Sequence, residues 1–83
     1  MAQIGRYETL PGSNRSAADI GVDGASVRSI PDGGKHVTLW NGRENGPDQY
    51  SYDVDSLGRY VPGSCHYSDS MTSVMSKMGH TRW

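Results

Sequence analysis

The stretch ASVRSIPDGGKHVTLW, residues 25–40, contains two runs of alternating apolar and polar residues on either side of Pro31-Asp32-Gly33-Gly34. Such alternation marks strands with one buried face. Proline suits the second position of a type I turn, and Gly33 tolerates the positive φ that follows. Closing the turn with Ile30 opposite Gly34 sets Val27 against Val37, Ala25 against Leu39, Arg28 against His36 and Ser26 against Thr38. Apolar meets apolar and polar meets polar, so the register is self-consistent.

The same counting extends towards the C-terminus. Pairing Trp40 with Gln49 across the polar loop from Asn41 to Asp48 places Leu39 opposite Tyr50 and Val37 opposite Tyr52. Asp55-Ser56-Leu57-Gly58 suits a type I turn with a glycine bulge, which sets Asp55 against Arg59 and Val54 against Tyr60. These positions predict four strands: residues 25–30, 35–40, 49–54 and 59–62. After a loop from Gly63 to Tyr67, Ser68 or Asp69 can cap a helix over residues 68–79. Met71, Val74, Met75 and Met78 form its apolar stripe, and Gly79 stops it. The expected class is α+β: a four-stranded antiparallel β-meander covered on one face by a short C-terminal α-helix. Residues 1–24 read as an irregular N-terminal segment of the same single domain, with a turn at Leu10-Pro11-Gly12-Ser13-Asn14 and one possible helical turn from Arg15 to Asp19. The run Tyr50-Ser51-Tyr52-Asp53-Val54-Asp55-Ser56-Leu57-Gly58-Arg59-Tyr60 resembles one unit of the YD repeats of large surface and toxin shells. It covers this hairpin alone and occurs once, so the resemblance implies shared hairpin chemistry and no family membership.

Composition limits what the domain can do. At 83 residues there is room for one modest core, and with no Phe the five Tyr, two Trp and four Met must supplement few aliphatic side chains. Eight basic residues nearly balance nine acidic ones. That balance argues against a protein held to DNA mainly by phosphate neutralisation. A single cysteine, Cys65, cannot form an intramolecular disulfide, so a small core suggests support from self-association or a partner. No stretch reaches membrane-spanning length and residues 1–10 lack a secretory leader, so a cytoplasmic protein is the expectation.

The predicted register leaves a second sheet face carrying Ser26, Arg28, His36, Thr38, Trp40, Gln49, Ser51, Asp53 and Val61. Arg28, His36 and Asp53 fall in one row, where the carboxylate can orient the imidazole. A His-Asp pair serves acid-base catalysis only with a pocket and usually a nucleophile, and Thr38 and Ser51 are the nearest hydroxyls. A solvated ladder of weak ion pairs is the simpler account, so no catalytic residue is assigned. Trp40 suits an interface anchor, with Arg28, Arg43 and Arg59 around it, or else a local core residue. Cys65, His66, His80 and His36 lack the paired spacings of a structural zinc site and read as loop or surface residues, so neither a metal nor a cofactor is expected. Adjacent residues on extended chain point apart, so His66 cannot serve Cys65 as a base. The Met-rich helix is expected to pack on its own sheet rather than in a partner's groove. The tail His80-Thr81-Arg82-Trp83 could dock on the body, meet a second subunit or hang free.

Three functions follow as expectations. The first is a non-catalytic protein-binding module, such as a small inhibitor or regulator of the phage or mobile-element anti-defence kind, with Arg28, His36, Trp40, Arg43, Asp53 and Arg59 as its binding residues. The second is single-stranded nucleic-acid binding through Trp40 and the arginines, opposed by Glu44, Asp48, Asp53 and Asp55. The third is a small enzyme using His36 and Asp53. Exposed strand edges add homodimerisation as a further expectation.

Overall fold

The computed structural model describes residues 2–80. The tail residues Thr81, Arg82 and Trp83, for which docking on the body, contact with a second subunit and a free tail were alternatives, lie outside the described residues. The chain forms β1 (Ala2–Ile4), α1 (Ala17–Ile20), β2 (Gly24–Ser29), β3 (Lys35–Trp40), β4 (Gln49–Val54), β5 (His66–Tyr67), a 3-10 turn (Asp69–Met71) and α2 (Thr72–Met78). Strands β1 to β5 make one antiparallel sheet in chain order, with α2 as the second layer of an α+β fold.

The centre of the sheet has the register expected from the alternation. Val27 faces Val37, Ala25 faces Leu39 and Arg28 faces His36; Leu39 faces Tyr50 and Val37 faces Tyr52. The first turn closes as counted: the Ile30 N–H donates to the Gly34 carbonyl, Gly33 has φ +89°, and Asp32 Oδ1 accepts the Gly34 N–H at 2.8 Å. At the other tight turn the Asp55 N–H donates to the Arg59 carbonyl and a single bridge joins Val54 to Tyr60.

The flanks depart from expectation. The sheet has five strands rather than four, and residues 59–62 do not form one of them. Pairing beyond Val54–Tyr60 ends after Val61 donates to the Asp53 carbonyl, because Pro62 has no N–H and Gly63, at φ +82°, turns the chain away. Ser64 then supplies a side-chain acceptor: its Oγ takes the Asp53 N–H at 3.0 Å, the bond a fourth strand would have made. Beyond it, His66–Tyr67, expected as loop, pairs with Tyr50 and Ser51.

The N-terminal segment is also more ordered than expected. Ala2, Gln3 and Ile4 pair with Val27, Ser26 and Ala25. Ser16 and Asp19 form a capping box, each side chain accepting the other's backbone N–H, and α1 ends at Gly21 with φ +81°. This segment brings Leu10, Ala17, Ile20 and Val22 into the core beside Met71, Val74 and Met78 of the helical layer. Neither Ser68 nor Asp69 caps α2 with its side chain; Ser68 Oγ instead accepts the Gln49 N–H at 3.3 Å, tying the helix entry to β4. Gly79 does stop the helix, at φ +73°.

Tyr50 and Tyr52 are fully buried on the covered face of β4. The Tyr52 hydroxyl donates to the Pro11 carbonyl at 2.6 Å, holding the N-terminal loop on the sheet. Burial pushes the titration of both phenols upward. Tyr52→Phe leaves that carbonyl without its donor, and urea titration should register a loss of about 1 kcal/mol. A loss within error would mean that water replaces the hydroxyl.

Candidate functional site

The face away from α2 is built by the second set of alternating residues. Cross-strand pairing puts Arg28, His36 and Asp53 in one row, one pleat from the end of the sheet where both tight turns lie. His36 Nδ1–H donates to Asp53 Oδ1 at 2.6 Å, with the two side chains 24% and 37% exposed. This bond fixes the ring through Nδ1 and leaves Nε2 outside the pair. Arg28 is exposed beside them.

The chemistry stops at that pair. Ser51 Oγ donates to the His66 carbonyl at 3.4 Å, and no hydroxyl or thiol hydrogen bonds to His36 among the described residues. Neither His36 nor Asp53 lines either of two surface grooves. An open groove of about 480 Å3 lies between residues 12–14, residues 58–60 and Met78, and another of about 260 Å3 lies beside Ala2, Val27 and Lys35.

The row continues into a rigid end. Asp55 Oδ1 accepts the N–H groups of Leu57 and Arg59, each at 2.9 Å, while Oδ2 accepts Arg59 Nε–H at 3.3 Å. The backbone donors of Arg59 and Leu57, with the guanidinium, hold the Asp55 carboxyl below its ordinary titration range. At the tip of this turn Leu57 is 75% exposed. The neighbouring turn is close: a Cβ on Gly33 would be 3.5 Å from Ser56 Cβ.

The structure therefore separates the six residues expected to act together. Arg28, His36, Asp53 and Arg59 share one end of the sheet. Trp40 and Arg43 lie towards the other, since Trp40 is four strand steps beyond His36, about 13 Å. Trp40 is also buried, at 7% exposure, with its indole on the backbone of Gly24; a Cβ there would be 2.5–2.7 Å from Cζ2, Cε2 and Nε1. It serves as local core on this face. Leu57 was missed because counting assigned it only to a turn, yet a leucine where turns usually carry Gly, Asn, Asp or Ser was the available signal.

Two of the residues read as loop or surface are in the core. Cys65 is buried, and so is His80, whose ring stacks on Tyr60 at 3.9 Å. His66 is exposed, on the opposite side from Cys65 as alternation requires. Among the described residues no three His, Cys, Asp or Glu side chains are grouped as a metal site would need, and no helix is long and apolar enough to cross a membrane. Comparison with protein-family models, with curated proteins and with solved structures found no match.

Proposed function

We propose that this chain is a non-catalytic protein-binding module that contacts its partner with the end of the sheet formed by Leu57, Arg59, Arg28, His36 and Asp53. The observation that carries this reading is Leu57: a large apolar side chain, three-quarters exposed, on a turn held by three bonds to one carboxylate. Preorganisation of this kind removes ordering entropy that a flexible loop would lose on binding. An apolar anchor ringed by polar groups is a common arrangement of binding hot spots. The inhibitor or regulator role, including the anti-defence example, is one form such a module takes. The nucleic-acid alternative lacks its stacking platform with Trp40 buried, and an enzyme would need a nucleophile or enclosed site beside His36. The edge strands β1 and β5 are three and two residues long, short enough to limit edge-to-edge pairing, so the proposal does not rest on a homodimer.

The test compares wild type with Leu57→Asp and with Arg28→Glu. Both positions are exposed, so stability should stay within about 0.5 kcal/mol. Proteins captured from the source cells by immobilised wild type should be lost with Leu57→Asp and weakened with Arg28→Glu. Equal capture by all three chains would remove this surface from consideration.

A further inference from the structure

His80 follows the C-terminal glycine of α2, and its backbone and ring anchor the helix in different ways. Its N–H donates to the Met75 carbonyl at 3.0 Å, while Gly79 adopts the left-handed conformation. This pattern is a Schellman closure, with His80 as the residue that returns over the last turn. The ring enters the aromatic face of the sheet. It lies parallel to Tyr60 at an interplanar angle of 4°, 4.5 Å from Tyr52, and its Nδ1 shares a 2.9 Å hydrogen bond with the Tyr50 hydroxyl.

The remaining ring nitrogen, Nε2, is buried and has no hydrogen-bond partner among the described residues. The titratable groups around the ring are Tyr50 and Tyr52 from β4, Tyr60 from the bridge after it, and the buried Cys65, whose thiol helps to push the titration of Tyr50 and Tyr60 upward. On the helix side, Lys77 is directed to the Ile20 carbonyl at 3.5 Å. All four surrounding groups are neutral in acid, and no carboxylate bonds to His80 among the described residues.

We propose that His80 is an acid-released latch: neutral, it holds the end of α2 on the aromatic face, and protonated, it leaves that face and frees the helix terminus. An imidazolium must place two N–H donors. Tyr50 can accept one, but the buried Nε2–H meets no acceptor among the described residues. The π-faces of Tyr60 and Tyr52 attract the cation and offset part of this penalty, without supplying that bond. Removing the ring also breaks the His80–Met75 closure, so the change reaches the backbone.

Burial lowers the His80 pKa from 6.5 to about 4. A depressed histidine pKa means that the open form binds the proton more readily than the closed one. Closure is therefore fully favoured above about pH 6.5 and is lost as pH falls towards 4. The closed-to-open ratio should drop roughly 80-fold between pH 6.5 and 4, towards a limit of about 300-fold in stronger acid.

Amide hydrogen exchange, corrected for its intrinsic pH dependence, tests the latch. Between pH 7 and 4.5 the Gly79 and His80 amides should lose at least tenfold in protection while those of Val37, Leu39 and Tyr52 remain protected. His80→Gln, which cannot titrate, should abolish the pH dependence. Should that variant fail to fold, the wild-type His80 ring resonances decide: a midpoint well below 6 that coincides with the loss at Gly79 supports the latch. A ring midpoint near 6.5, simultaneous loss of helix and sheet protection, or the same pH dependence in His80→Gln would overturn it.

Discussion

Truncating Trp40 to alanine is expected to cost about 3–5 kcal/mol. That is a large part of the roughly 4–12 kcal/mol available to a domain of this length. The indole is 93% buried, yet it lies on the polar face of the sheet, outside the main core cluster. No aliphatic neighbour in that cluster stands ready to fill the space. Gly24 completes the site: with Trp40 paired opposite, its missing side chain is what lets the indole lie on the β2 backbone. Gly24→Ala should therefore displace the same ring. Guanidinium titration should show both variants unfolding at lower denaturant, with Trp40→Ala losing more. A loss below 1 kcal/mol for Trp40→Ala would mean that the ring is dispensable to the fold and would return it to the list of binding residues.

Gly34→Ala is the second substitution with a large expected effect, about 3 kcal/mol at the upper end of overpacking costs. A Cβ at this position would overlap the Val54 carbonyl oxygen and lie 3.3 Å from Asp55 Cα. The overlapping atom is backbone, so relief requires β3 and β4 to part at the Lys35–Val54 pair, and Asp32 Oδ1, 3.1 Å from that Cβ, must also give way. Gly33 provides the contrast. Its Cβ would meet Ser56 at an ordinary 3.5 Å, so Gly33→Ala is opposed by the left-handed φ alone, about 1–2 kcal/mol. Thermal melts of the two variants should rank Gly34→Ala as the less stable. The reverse order would show that turn conformation, rather than close strand approach, governs this end of the sheet. Because Leu57 and Ser56 belong to the same end, Gly34→Ala should also weaken partner capture.

How much of the site was legible depended on whether a residue's position follows from local pairing. Arg28, His36 and Asp53 were placed in one row by counting through two turns, and the His36–Asp53 hydrogen bond is the direct result. Trp40 was placed on the correct face with its depth left open between anchor and local core, because depth depends on what lies opposite, here the missing side chain of Gly24. Leu57 was placed in the correct turn, whose rigidity came from three bonds to Asp55 that composition alone does not reveal. His80 was invisible as a core residue. It stands alone in sequence, 20 residues beyond Tyr60, and only the path of α2 brings the two rings together.

By itself, the sequence determined the antiparallel centre of this protein, its register, the apolar stripe of α2 and its glycine stop. These features repeat a period of two or of 3.6 over several residues, so many small preferences add in one direction. Only the tertiary structure decided the edges and the depths. Three residues at Ala2–Ile4 and two at His66–Tyr67 are too few to show a period, and they become strands because β2 and β4 offer unpaired backbone groups beside them. The burial of Trp40, Cys65 and His80 likewise depends on contacts between distant segments, which no local pattern encodes.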